Sequence, residues 1–116
     1  MKQLKYNFEY FCSPIWVNEN QNSNDIFENI NIDLLPISSS LKEEIIELDI
    51  IYQSTYNDEY PPEPKNLSTS EDLLFRKRIA TSAEQLKNEL VNKYKILFDK
   101  SEWENGLEDN NGNLQL

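Results

Sequence analysis

The 116-residue sequence predicts an α+β fold, a small antiparallel sheet packed against two main helices, and three observations carry that prediction. Leu4, Tyr6, Phe8 and Tyr10 alternate with Lys5, Asn7 and Glu9, the period of a strand with one face buried. Leu41, Ile45, Leu48 and Tyr52, and later Phe75, Ile79, Ala83, Leu86 and Leu90, recur at helical spacing. Finally Tyr94, Ile96 and Phe98 alternate with Lys93, Lys95 and Leu97. The N-terminal segment is the expected partner of this 94–98 strand, since nothing else of comparable apolar character remains to receive it.

In chain order, the N-terminal alternation blurs through Phe11-Cys12-Ser13-Pro14, where a proline that cannot donate to a ladder predicts an edge or a bulge. Ile15–Val17 reads as a second short strand. The polar tract 18–25 is a loop, and the apolar returns at Ile26-Phe27 and Ile30–Ile32 suggest one more edge strand. The first helix is expected from Ser40 to Tyr56, with Ser40 and Glu43 at capping-box spacing. Off its main stripe lie Ile46 and Ile50, among Glu43, Glu47 and Asp49. A helix apolar on two sides is packed on both or meets a partner, and burial of both isoleucines is the expectation. Pro61, Pro62 and Pro64 bar helix beyond the exit. A second capping box at Ser68 and Glu71 opens the second helix, Asp72 stands four before Arg76 as an ion-pair partner, and Asn92 is the expected C-cap. Residues 1–100 form one domain in this reading, and 101–116 an acidic, partly disordered tail from which Trp103 can fold back.

Composition excludes more than it assigns. The chain has no histidine, one cysteine and two glycines, which removes Ser–His and Cys–His catalysis, the usual zinc sites, an internal disulfide and a phosphate-cradling loop. No enzymatic activity, cofactor or metal is expected. Cys12 reads as a small buried hydrophobe. Eleven Lys and Arg against twenty-one Asp and Glu give a net charge of -10, a field that disfavours nucleic acid and anionic membranes and steers basic partners. With no signal-like apolar run and no span of membrane length, the cytoplasm is the expected location.

Three segments carry a resemblance: Cys12-Ser13-Pro14-Ile15-Trp16, then Asp33-Leu34-Leu35-Pro36-Ile37-Ser38 leading to Leu41-Lys42, and Tyr52-Gln53-Ser54-Thr55-Tyr56-Asn57 with Tyr60-Pro61-Pro62. With the second helix and the final tyrosine-containing strand, they are similar to small acidic immunity proteins of contact-dependent growth inhibition and related polymorphic toxin systems. The resemblance implies a cytoplasmic protein that binds the C-terminal domain of a cognate toxin, often a nuclease with a basic cleft, and no nucleic acid or membrane directly. The surface expected to bind combines the acidic side of the first helix with its exit: Glu43, Glu47, Asp49, Asp58, Glu59 and Tyr60. The alternative is an acidic adaptor or nucleic-acid mimic occupying a basic protein partner.

Overall fold

A computed structural model describes residues 2–19, 26–56 and 68–104. The architecture is α+β. Strands β1 (Lys2–Tyr6), β2 (Ile15–Asn18) and β3 (Glu28–Ile30) come first, then a 3-10 turn (Ile32–Leu34). Helices α1 (Ser39–Ser54) and α2 (Thr69–Glu89), strand β4 (Tyr94–Leu97) and the short helix α3 (Lys100–Glu104) follow.

The four strands lie in the order β3-β2-β1-β4. β1 pairs antiparallel with β2, placing Leu4 opposite Val17 and Tyr6 opposite Ile15. β4 does sit beside β1, as its apolar alternation implies, but the two run parallel, with Leu4 opposite Ile96. The sheet is therefore mixed rather than antiparallel. Alternation has period two whichever way a strand runs, so it selects the face that is buried and says nothing about direction. The buried face carries Leu4, Tyr6, Ile15 and Val17, and one apolar cluster joins them to Leu41, Ile45 and Leu48 of α1 and to Phe75, Ile79, Ala83 and Leu86 of α2. Both helical stripes lie where their periodicity places them. On the other face Lys5 stands 5.4 Å from the Trp16 ring and 5.2 Å from that of Phe27, a cation–aromatic contact.

Tyr6 is fully enclosed, and burial pushes its hydroxyl well above the usual tyrosine range. Ser82 Oγ donates to the Ile79 carbonyl at 2.7 Å, which uses its one hydrogen. Tyr6 is thus the donor in its own 2.7 Å contact with Ser82, tying β1 to α2 through a satisfied polar pair inside the core.

Two helix starts show how far local signals reach. At α2 the capping box forms as its spacing implies, with Ser68 and Glu71 exchanging side-chain and backbone hydrogen bonds. Asp72 likewise holds Arg76 at 3.0 Å. At α1 the cap is Ser38, not Ser40, and its side chain accepts from the Leu41 amide. Leu41 occupies the position of the box carboxylate and cannot serve. Glu89, at the far end of α2, takes that role: the Ser38 amide donates to Glu89 Oε1 at 2.6 Å and the Ser38 hydroxyl to Oε2 at 2.7 Å. A carboxylate in the last turn of its own helix opposes that helix's dipole, but here it lies against the N-terminus of another, where the dipole favours it. α2 ends at Glu89, with Leu90 as its C-cap in place of Asn92.

Trp103 of α3 is buried and packs edge-on against Phe8 and Phe75, with Arg76 5.8 Å from its ring. Arg76 also donates to the Glu102 carbonyl at 2.8 Å, so one cation closes α3 onto α2. Among the described residues no helix is long and apolar enough to cross a membrane.

The interhelix cap is directly testable. Glu89→Ala should lower stability to urea unfolding by about 0.5–2 kcal/mol, the usual cost of losing an N-cap interaction. Glu43→Ala, which removes the carboxylate of the local box spacing, should leave the midpoint nearly unchanged.

Candidate functional site

Side chains three and four apart share one face of a helix, and on α1 the set Ile46, Asp49, Ile50 and Gln53 forms such a face beside the buried stripe. The structure overturns the expectation that both isoleucines are buried: Ile46 is 41% and Ile50 64% exposed. The stripe turned toward the core already uses Leu41, Ile45 and Leu48, and the side toward α2 is closed by ion pairs, so among the described residues no element covers the third side. Opposite it stands the loop between β1 and β2. Together with Asn31 and Ile32 these walls bound a groove of about 410 Å³.

Gln53 holds the two walls together. Its amide nitrogen donates to the Glu9 carbonyl at 3.0 Å and, more distantly, to that of Cys12 at 3.4 Å. Its oxygen accepts from the Phe11 amide at 2.9 Å. At the base of the loop the Asn7 amide donates to the Pro14 carbonyl at 2.9 Å, and Asn29 donates to the carbonyls of Ser13 and Ile15. The loop tip is strained by this fixing. Phe11 has φ of 64°, a left-handed conformation that costs an L-residue with a side chain roughly 1–2 kcal/mol, and its ring is 80% exposed. A strained backbone that presents an aromatic ring to solvent is a feature of binding surfaces rather than of cores.

A chain of rings supports that tip from behind. Phe11 meets Tyr56 at 4.9 Å, Tyr56 meets Tyr10 at 5.2 Å, and Tyr10 stacks on Tyr52 at 4.7 Å. Tyr52 in turn reaches Phe8 and the buried Trp103. The Tyr10 hydroxyl donates to Thr55 Oγ1 at 2.8 Å, because that oxygen's hydrogen already serves the Tyr52 carbonyl. The geometry repeats the Tyr6–Ser82 device at the end of α1.

The residues expected at the binding surface separate in the structure. Asp49 lines the groove, where burial raises its pKa and the Gln53 amide, 3.0 Å from Oδ1, partly offsets that. Glu43 is exposed on α1. Glu47 turns toward α2 and pairs with Arg78 at 3.2 Å. Asp58, Glu59 and Tyr60 lie outside the described residues. Glu44 joins the same cation at 2.6 Å and 2.9 Å, and the Arg78 hydrogen bonds hold its carboxyl below the usual glutamate range. Arg78 is therefore engaged by two carboxylates of α1. Cys12 is half-buried in the groove wall rather than enclosed. The site roles of Phe11, Gln53 and Asn29 are additions, because a positive φ, contacts across more than forty positions for Gln53 and across 14 and 16 for Asn29 leave no local pattern.

A largely apolar groove with Asp49 in its lining, its walls joined by the exposed and part-buried hydrogen bonds of Gln53 and Asn29, is the candidate site of this small α+β fold. Residues 2–101 match the Serratia CdiI immunity protein-like family, and the chain belongs to it. Among curated proteins none matches the chain.

Two measurements probe this construction. Phe11→Gly should leave the melting temperature equal to or above that of the parent, since relief of the left-handed strain offsets the lost ring contact. Arg78→Met should destabilise by about 1 kcal/mol at neutral pH, the loss of a partly exposed bidentate pair. Glu44 has a lowered pKa in the fold, so this contribution is complete above its ordinary value of 4.5 and is lost as pH falls through the lower native value. The gap between variant and parent should accordingly close on acidification, followed by urea titrations across that range.

Proposed function

We propose that this chain is a stoichiometric, non-catalytic inhibitor of a cognate toxin of contact-dependent growth inhibition, acting in the cytoplasm on the toxin's C-terminal domain. Membership of an immunity-protein family supports the toxin as partner. The observation that carries the docking face is the exposure of Ile46, Ile50 and Phe11 around one groove that also holds Asp49. Contiguous apolar side chains in water mark an interaction surface, and a strained aromatic at its edge provides an anchor. Glu43 and Glu47 of α1 belong to the proposed binding set with Asp49, as do Asp58, Glu59 and Tyr60, which lie outside the described residues. A net charge of -10 favours a basic partner and raises the rate of encounter, which fits a nuclease whose substrate cleft is positive.

The acidic adaptor or nucleic-acid mimic calls for a regular row of free carboxylates. Here Glu44 and Glu47 are engaged by Arg78, and Asp49 sits among isoleucines. That grouping favours a protein inhibitor with a mixed apolar and acidic footprint.

Co-expression with the toxin domain encoded beside this gene should restore growth and yield a 1:1 complex on gel filtration. Absence of both would exclude the proposal. Ile50→Asp should abolish rescue, with binding weakened by about 2 kcal/mol or more, while thermal stability stays near that of the parent because the site is exposed. The association rate, followed by stopped flow, should fall steeply with added salt.

A further inference from the structure

The groove has an uneven chemistry that specifies its occupant more narrowly. Its walls are apolar on the α1 side through Ile45, Ile46 and Ile50 and on the loop side through Phe11 and Pro14, and Asp49 is the one charged side chain among its described lining residues. Asp49 accepts a single hydrogen bond among the described residues, from Gln53, and no cation there pairs with it. A carboxylate can accept about four hydrogen bonds, so this half-buried one, lining the groove, keeps capacity that solvent or a ligand of the groove can use. Gln53, by contrast, is fully engaged with the loop and with Asp49.

We infer that the groove is a socket for one arginine side chain of the toxin domain, its aliphatic stem along Ile46 and Ile50, its guanidinium on Asp49, and the Phe11 ring beside it. This rests on the toxin-inhibitor reading and adds the group that the inhibitor recognises. An anion is repelled by Asp49. An apolar side chain would leave the carboxylate desolvated without a partner, which is costly. A long cation fills both requirements, and a planar guanidinium adds two parallel hydrogen bonds and stacking on an aromatic face that an ammonium cannot match. The charge of the whole chain steers the same class of partner. Burial already raises the pKa of Asp49 in the free protein, so the unpaired carboxylate is held at a cost to stability that a bound cation would relieve.

The test uses the full chain and the purified toxin domain, inactivated by substitution, with affinities from calorimetry. Asp49→Asn keeps the shape and the contact with Gln53. It should weaken binding by about thirtyfold or more while the melting temperature holds or rises. Glu84→Gln on α2 removes the same charge away from the groove and should change affinity less than about threefold. Replacing each toxin arginine and lysine by alanine should reveal one arginine whose loss makes Asp49→Asn nearly silent, the signature of a direct pair in a double-mutant cycle. If the parent binds the toxin but Asp49→Asn and Phe11→Ala both stay within threefold of it, the socket is wrong and the inhibitor reading stands. If the coupled residue is a lysine, the guanidinium assignment is wrong. If the parent does not bind at all, the inhibitor reading fails and the socket with it.

Discussion

The rotation of α1 about its own axis is the constraint on which the rest of the structure depends. Leu41, Ile45 and Leu48 are held in the core with the sheet residues Leu4, Tyr6, Ile15 and Val17. Glu44 and Glu47 are drawn to Arg78 on α2, and Ser38 at the helix start is gripped by Glu89. With two sides and one end fixed, the third side has a single possible exposure. Ile46, Asp49, Ile50 and Gln53 face the β1–β2 loop because nothing else about the helix is free to turn.

That loop is held by contacts from several parts of the fold. Gln53 and Asn29 satisfy its backbone from two different elements, and a continuous line of aromatic rings connects Phe11 at the tip to Trp103 in the interior. The strain at Phe11 is offset by these contacts rather than avoided. A glycine there would satisfy the backbone at lower cost and would present no side chain. The choice of an aromatic at a left-handed position agrees with a surface selected to meet another molecule.

The same logic applies to charge. Most of the acidity needed for solubility or steering can sit anywhere on the surface, and much of it does. Asp49 differs because it is withdrawn between isoleucines with one hydrogen bond. Its position places one negative charge next to apolar walls. In the proposed complex, steering and anchoring would be separated: distributed carboxylates would govern approach, and Asp49 with its apolar neighbours would govern retention. Two of the stretches that carry the family resemblance meet here, with Cys12–Pro14 and Gln53 in the walls, while Asp33–Ser38 leads from Ile32 at the groove to the cap of α1.

Much of this was legible in the sequence because it is local. The buried stripes of both helices, the Ser68–Glu71 box, the Asp72–Arg76 pair and the alternation of β1 and β4 each arise from residues a few positions apart, and each lies where its spacing places it, except that β1 ends at Tyr6, before Phe8 and Tyr10. The ambiguity of Ile46 and Ile50 was also visible, although its resolution was not. Tertiary structure alone decided the rest. The parallel direction of β4, the replacement of a local capping carboxylate by Glu89, the union of α1 and the loop through Gln53, and the exposure of the second apolar face all depend on partners brought from distant parts of the chain. Periodicity encodes which side of an element is apolar, whereas only packing settles what, if anything, comes to cover it.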